Sequence, residues 1–168
     1  MKKAAFALMF FVLALVPAFA QTNYGKFTVT APTTLTAGAP EKRTTNSGSS
    51  YTSVTYSTQL ANSDLYAVMT AEYPFAVQRD DLDRAIAAFA KQLNATILKQ
   101  ATITLTSGEP AIVASIRELD ANGRDLRIAY VVSYKGNTAY QFMFASYADV
   151  TTTDMAALHT FLSTLRIN

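Results

Sequence analysis

Apolar and polar residues alternate with a period of two through residues 54–60 and 65–71, and Asn62-Ser63-Asp64 lies between these two runs. Strict alternation is typical of a strand with one buried face, and the intervening Asn, Ser and Asp favour a turn. The pattern therefore predicts a β-hairpin that ends at Tyr73-Pro74. A shorter alternating run, residues 27–30, predicts a short strand that stops at Pro32.

The period changes to that of a helix after this hairpin. Asp80, Asp81 and Asp83 crowd the predicted first turn, where carboxylates complement the free N–H groups and the helix dipole. An apolar stripe follows at spacings of three and four, which predicts a helix of about four turns. The stripe consists of Leu82, Ile86, Phe89, Leu93 and Ile97.

A second helix is predicted near the end of the chain. Thr151 and Asp154 stand at the spacing of a capping pair. The residues after them carry apolar side chains with helical spacing, which predicts one buried stripe. This stripe consists of Met155, Leu158, Phe161, Leu162 and Leu165.

Three strands are predicted between the helices, at residues 111–119, 126–134 and 138–147. Asn122-Gly123 is a strong signal for a type I′ hairpin turn, and Lys135-Gly136-Asn137 predicts the next turn. The first turn would place Glu118 opposite Arg127.

This register sorts the side chains onto two faces, and both are apolar. One face comprises Val113, Ile128, Tyr130, Val132, Tyr140, Phe142 and Phe144, and the other comprises Ile112, Ala114, Ile116, Ala129, Val131, Met143 and Ala145. Because a sheet open to water on one side would show one polar face, each face needs a cover. The predicted fold class is therefore α+β, an antiparallel β-sheet sandwiched between helices (α/β/α).

The first twenty residues have the features of a secretory signal peptide. Lys2 and Lys3 precede an apolar run over residues 4–16, and Ala18-Phe19-Ala20 supplies a cleavage site before Gln21. The run is shorter than the ~20 residues that span a bilayer, so cleavage is favoured over an uncleaved helix. We therefore expect a periplasmic or secreted protein without an integral membrane anchor after cleavage.

The expected domain organisation is a signal peptide at 1–20 and a single domain at 21–168. Residues 33–50 are mostly Thr, Ser, Gly, Ala and Pro, which predicts a flexible surface loop. A functional lid is the alternative to a poorly ordered connection.

Composition narrows the function classes. The chain has 14 Lys plus Arg and 12 Asp plus Glu, and because Lys2 and Lys3 leave with the signal peptide the mature domain is formally neutral. A neutral surface with mixed charges gives no reason to expect nucleic acid as a partner. The absence of cysteine excludes disulfides, thiolate metal sites and thiol catalysis.

Candidate chemistry is sparse. His159 is the only histidine and lies beside the apolar stripe of the second predicted helix, where a boundary or exposed position is expected. The acidic cluster at 80–83 lacks the glycine and terminal glutamate of a calcium loop and is explained by the helix start. Asn94-Ala95-Thr96 matches the glycosylation pattern but falls in the predicted helix. We therefore expect no catalytic residue, no cofactor and no metal.

The order of predicted elements resembles a known superfamily, that of the PsbP and Mog-type proteins, which includes DcrB-like bacterial envelope proteins. The resemblance rests on the segments 27–32 (Phe-Thr-Val-Thr-Ala-Pro), 108–111 (Gly-Glu-Pro-Ala) and 140–144 (Tyr-Gln-Phe-Met-Phe). It covers residues 26–167, although Thr33-Thr34-Leu35 stands where many relatives have an aromatic residue. The resemblance implies the α/β/α fold and a non-enzymatic accessory or partner-binding role.

The expected function is an exported, non-enzymatic accessory or protein-binding domain of the bacterial cell envelope, with an unidentified envelope protein as its partner. Tyr130, Tyr134 and Tyr140 share one predicted face near the turn at 135–137 and are the candidate partner surface. The same rings would alternatively pack in the core. The alternative function is a small-ligand carrier or a carboxylate-dependent enzyme, with a cleft formed by the 33–50 loop and the tyrosine-bearing end of the sheet.

Overall fold

The computed structural model describes residues 21–45, 47–61, 63–120, 122–147 and 159–168. This part of the chain is mostly β-strand, with one long helix, α1 (Arg79–Gln92), and a helical segment at residues 159–163. The strands are β1 (Gln21–Asn23), β2 (Phe27–Thr30), β3 (Thr36–Ala37), β4 (Glu41–Thr44), β5 (Ser50–Gln59), β6 (Leu65–Glu72), β7 (Thr96–Thr104), β8 (Pro110–Leu119), β9 (Asp125–Lys135), β10 (Thr138–Tyr147) and β11 (Arg166–Ile167).

The main sheet is antiparallel throughout. Its order is β3-β5-β6-β10-β9-β8-β7, and β4 pairs with the same edge of β5 as β3 does. The β5–β6 hairpin and the β8–β9–β10 meander confirm the strands expected from the alternating pattern. A second, small sheet has the order β1-β2-β11.

One face of the main sheet is covered by α1. Leu82 and Ile86 of the helix are buried against Ile112, Ile116 and Tyr130 of β8 and β9. The helix packs on β8 and β9. Strands β5 and β6 belong to the part of the sheet on the other side of β10. Part of this face therefore stays open beside the helix.

The opposite face is covered mainly by the small sheet. Phe27 and Val29 of β2 and Ile167 of β11 belong to one buried cluster with Phe142 and Phe144 of β10. Phe161 and Leu165, from the described end of the chain, complete this cluster. The larger part of the core therefore lies between two sheets.

The expected α/β/α sandwich is wrong, because this chain is mostly antiparallel β-sheet and is not a sheet held between helices. β2 and β11 are too short for periodicity to predict a second sheet. They nevertheless carry side chains that cover the face of the main sheet opposite α1. The predicted start of the second helix at Thr151 lies outside the described residues.

The expected register between β8 and β9 is also wrong, by one residue. Glu118 pairs with Leu126, and Arg127 lies opposite Arg117. A one-residue slip turns every side chain of a strand to the other face. Val131 therefore faces the small sheet, and Tyr130 and Val132 face α1.

The predicted helix ends earlier than expected. Leu93 is the C-cap, and Asn94 adopts the left-handed conformation with φ 52°. The N–H of Asn94 donates to the carbonyl of Lys91 (3.1 Å), and that of Ala95 donates to Ala90 (2.8 Å), which is the Schellman arrangement. The apolar spacing continues to Ile97 only by coincidence, because residues 96–104 form β7.

The polar segment at residues 33–50 is partly ordered against the sheet. Within it, β3 and β4 pair with β5, and the N–H of Gly38 donates to the carbonyl of Thr55 (2.7 Å). Across the described ranges, no helix is both long and apolar enough to span a bilayer.

Candidate functional site

The open part of the α1 face contains a cleft of about 730 Å³ at the end of the sheet near the β9–β10 turn. We call it the tyrosine cleft. Helix α1 forms one wall, and the hairpin of β4 and β5 forms the other. Its floor is supplied by β9 and β10. The side chains that define it are Tyr51, Tyr73, Phe75, Ala88, Gln92 and Gln141.

The segment that closes the cleft at one end is fixed to the β9–β10 turn. The N–H of Tyr73 donates to the carbonyl of Asn137 (2.9 Å), and the amide of Asn137 donates back to the carbonyl of Tyr73 (2.9 Å). The N–H of Val77 donates to the carbonyl of Gly136 (3.0 Å), and Val77 is buried. The turn therefore positions the aromatic residues between β6 and α1.

Three aromatic rings line this end of the cleft. Tyr51 and Tyr73 stack with centroids 4.7 Å apart, and Tyr73 contacts Phe75 at 5.4 Å. Burial raises the pKa of Tyr73, and Tyr51 and Asp81 add to this effect. Phe75 is 43% exposed, which is high for a large apolar side chain. The cleft therefore offers an aromatic surface that carries the neutral hydroxyl group of Tyr73.

Asp81 and Arg84 are the two charged residues among those that line the cleft. The backbone N–H of Gln78 donates to Asp81 Oδ2 (2.8 Å), and Arg84 Nη2 donates to Asp81 Oδ1 (2.5 Å). The bond from Gln78 is the main reason that the pKa of Asp81 is lowered, and Arg84 lowers it further. Asp81 thus caps the helix and neutralises Arg84, so neither is a free acid or base.

A smaller cavity of about 210 Å³ adjoins the tyrosine cleft and shares Gln92 and Gln141 with it. Met69 and Met143 contribute apolar side chains to its lining. Its rim includes Arg43, which is paired with Glu41 (2.6 Å). Because the two cavities share Gln92 and Gln141 and both are open to solvent, we describe them together as one groove.

A ring contact and a hydrogen bond fix the side chains at the end of the groove near the smaller cavity. Phe89 of α1 stacks on Tyr130 with ring centroids 4.2 Å apart and an interplanar angle of 11°. The hydroxyl of Tyr130 donates to Gln141 Oε1, and burial raises the pKa of Tyr130. Tyr130 therefore remains a neutral donor that fixes the orientation of the Gln141 amide.

The structure does not bring the three candidate tyrosines onto one surface. Tyr130 and Tyr134 lie on the α1 face, whereas Tyr140 belongs to the core cluster under the small sheet. Tyr130 is 2% and Tyr140 4% exposed. Burial raises the pKa of Tyr140, with smaller contributions from Glu109 and Glu72. Tyr130 and Tyr140 contribute to the linings of the smaller and larger cavities, but their rings pack in the core.

The acids that a carboxylate-dependent enzyme could use are Glu72, Glu109, Glu118 and Asp120. Of these, Glu109 and Glu72 both add to the effect of burial in raising the pKa of Tyr140. Glu72 pairs with Lys26, Glu109 with Lys135 (3.5 Å) and Asp120 with Arg124 (2.7 Å). Arg117 pairs with Asp125 at the surface (3.0 Å). These pairs end separate strands and turns and line neither cavity.

His159 and the acidic cluster at residues 80–83 are the metal-ligating residue types that the sequence singled out. His159 is exposed, as the sequence suggested. Within the described ranges, no group of three or more His, Cys, Asp or Glu side chains could hold a metal ion.

The residues that sequence reasoning missed are Tyr51, Tyr73 and Phe75. The only local signal was Tyr73-Pro74-Phe75, two aromatic residues around a proline between a hairpin and a helix. Tyr51 could not be linked to them, because its position depends on the pairing of Thr52 with Glu72 in the β5–β6 hairpin.

No protein-family model matches this chain, and no curated protein sequence matches it.

Proposed function

We propose that the mature chain is an exported, non-enzymatic binding protein of the bacterial cell envelope, and that it holds a partner protein in the groove beside α1. The observation that carries this proposal is the lining of the tyrosine cleft. Aromatic, amide and hydroxyl side chains line it, and its acid and base, Asp81 and Arg84, neutralise each other. Such a lining suits recognition by contact and hydrogen bonding more than proton transfer.

A segment of a partner protein fits the shape of this groove. The tyrosine cleft and the smaller cavity adjoin, so an extended chain could contact Phe75 at one end and Met143 at the other. Aromatic residues are enriched where binding energy concentrates, and methionine adapts its shape to different apolar partners. The export of the chain, inferred from residues 1–20, makes an envelope protein the expected partner.

A small-ligand carrier is the second candidate. The volume of the tyrosine cleft, about 730 Å³, falls within the roughly 300–1,000 Å³ of common ligand pockets. Its lining includes Thr44, Thr45 and Ser47 from the polar segment, which is the side of the cleft that this alternative requires. A neutral ligand would suit it, because the charges of Asp81 and Arg84 are already paired.

The test compares two arginine substitutions of exposed residues. Ala88→Arg places a long side chain in the tyrosine cleft, whereas Leu119→Arg changes a residue that is 59% exposed and lines neither cavity. The immobilised variants and the parent chain are incubated with envelope extract. A protein retained by the parent and by Leu119→Arg but lost with Ala88→Arg supports the proposal.

Two results would count against a partner protein. Equal retention by all three chains would show that the groove is not the binding site. If no protein is retained but native mass spectrometry of the parent chain shows a small molecule that Ala88→Arg lacks, the carrier function replaces the proposal.

A further inference from the structure

Strand β7 is an open edge of the main sheet. It pairs with β8 on one side, and no strand of the described residues pairs with its other side. All nine of its residues are exposed, including the large apolar residues Ile97 (37%), Leu98 (48%) and Ile103 (38%). The free N–H and C=O groups of such an edge are a template for another strand.

The opposite edge of the sheet is protected. It is formed by β3 and β4, which have two and four residues, with Pro40 between them. Glu41, Lys42 and Arg43 place charges along β4. Short strands, charge and proline are the features by which proteins prevent pairing at an edge. β7 carries a single charge, Lys99, and one irregularity between Ile97 and Lys99. The two edges therefore differ in their capacity to accept another strand.

We propose that β7 pairs with β7 of a second copy of this chain, antiparallel and centred on Ala101. In this register Lys99 lies opposite Ile103 of the second copy, and Gln100 lies opposite Thr102. Side chains two residues apart point to the same face in this part of the strand. The register therefore places even-numbered residues of one copy opposite even-numbered residues of the other. One continuous sheet results, with α1 of both copies on the same side. The two Lys99 side chains lie four residues apart along the strands, so like charges do not meet.

Charge complementarity around this register favours a second copy over another partner. Gln100 Nε2 donates to Asp83 Oδ1 (2.6 Å), and Arg79 Nη2 donates to Thr102 Oγ1 (3.4 Å). Asp83 thus lies beside Gln100, and Arg79 lies beside Thr102. The side chains of Arg79 and Asp83 are exposed on the α1 face. Because Gln100 stands opposite Thr102 of the second copy, Asp83 of each copy faces Arg79 of the other. Two equivalent ion pairs therefore flank the shared sheet.

This association is independent of the proposed groove. Arg79 and Asp83 belong to the side of α1 that faces β7, whereas Ala85, Ala88 and Gln92 line the tyrosine cleft. The dimer would leave both clefts open.

Charge reversal tests the register. The purified exported protein, Arg79→Asp and Asp83→Arg are examined by sedimentation equilibrium, and folding is checked by circular dichroism. We expect the parent chain to dimerise and each variant to dimerise at least about tenfold more weakly, because like charges then face each other twice. An equimolar mixture of the two variants should regain dimerisation, since both ion pairs re-form in the heterodimer. Leu119→Arg, outside β7, should dimerise as the parent chain does.

Substitution of Ile103 tests the same register without changing α1. Ile103→Lys would face Lys99 of the second copy and should weaken the dimer, whereas Ile103→Glu would face the same lysine and should retain it. A parent chain that stays monomeric up to about 1 mM, variants that dimerise like the parent, or a mixture that gains nothing would each overturn the proposal.

Discussion

Phe89 of α1 and Tyr130 of β9 are stacked with their ring centroids 4.2 Å apart, and this contact joins the helix to the sheet at the edge of the groove. Phe89 is only partly buried, whereas Phe161 is fully buried in the cluster on the opposite face. The two phenylalanines therefore contribute to different halves of the core.

Truncation of these two residues should have unequal effects on stability. Phe161→Ala leaves a cavity in a closed cluster and should lower the free energy of unfolding by about 3–5 kcal/mol. Phe89→Ala loses one stacked pair and part of its buried area, so a loss of about 1–3 kcal/mol is expected. Urea denaturation measures both values. Equal losses would contradict the separation of the core into a closed cluster and an open one.

The pairing of Asp81 should make stability depend on acidic pH. Its folded-state pKa is lowered chiefly by the bond from the N–H of Gln78 and then by Arg84. The stabilisation is therefore complete above the unfolded pKa of an aspartate, about 3.9, and is lost as the pH falls through the lower folded-state pKa. Asp81→Asn should flatten this part of the acid unfolding profile. Gln78→Ala retains the backbone donor and should leave it unchanged; an identical profile for Asp81→Asn would refute the role assigned to the carboxylate.

Three tyrosines should ionise at a higher pH in the folded chain than in the unfolded one. Burial raises the pKa of Tyr73, Tyr130 and Tyr140 above the value of about 10 for a free tyrosine. Because the neutral form is favoured on folding, their contribution to stability is complete below pH ~10 and is lost as the pH rises through the folded-state values. Tyrosinate absorbance in buffer and in denaturant measures the difference. Tyr130→Phe should reduce the late-ionising fraction, and no difference between the two titrations would contradict the burial.

The amino terminus of the exported protein should be Gln21. The small residues at Ala18 and Ala20 and the short apolar run before them favour cleavage at this point. Intact-mass measurement of protein recovered outside the cytoplasm checks the expectation. Recovery of a chain that retains residues 1–20 would contradict the cleavage and the formal neutrality of the mature domain.

The sequence predicted the hairpins and the start of α1 because each depends on local chemistry. It failed at the β8–β9 turn, where Asn122-Gly123 suggested a two-residue loop. Instead, Asp120 Oδ1 accepts the N–H groups of Asn122 (2.8 Å) and Arg124 (2.9 Å), so the loop is longer. Gly123 has a positive φ of 75°, and its N–H donates to the carbonyl of Asp120 (2.8 Å). The longer loop shifted the pairing of β9 with β8 by one residue.

The β9–β10 turn is also shorter than expected, because Lys135 pairs with Thr138. Tyr140 therefore lies opposite Ser133, on the other face from Tyr130 and Tyr134.

The rest of the fold depended on pairing between distant segments. All residues of β7 are exposed, and its apolar and polar residues do not alternate regularly. Periodicity therefore could not predict that β7 is a strand paired with β8. The groove required Tyr51, Tyr73 and Phe75 to meet through the β5–β6 register. Such contacts arise from tertiary packing, which single-sequence patterns do not encode.

The end of α1 offers a direct test of why the helix stops where it does. Asn94 holds the left-handed position of the Schellman motif with φ 52°, a conformation that glycine adopts without strain and alanine does not. Asn94→Gly should therefore be neutral or stabilise the protein by a few tenths of a kcal/mol, whereas Asn94→Ala should destabilise it by about 1 kcal/mol. Thermal unfolding of the two variants compares them in one background. A more stable Asn94→Ala variant would mean that residues 93–97 can continue the helix, as their apolar spacing suggested, at the expense of the first residues of β7.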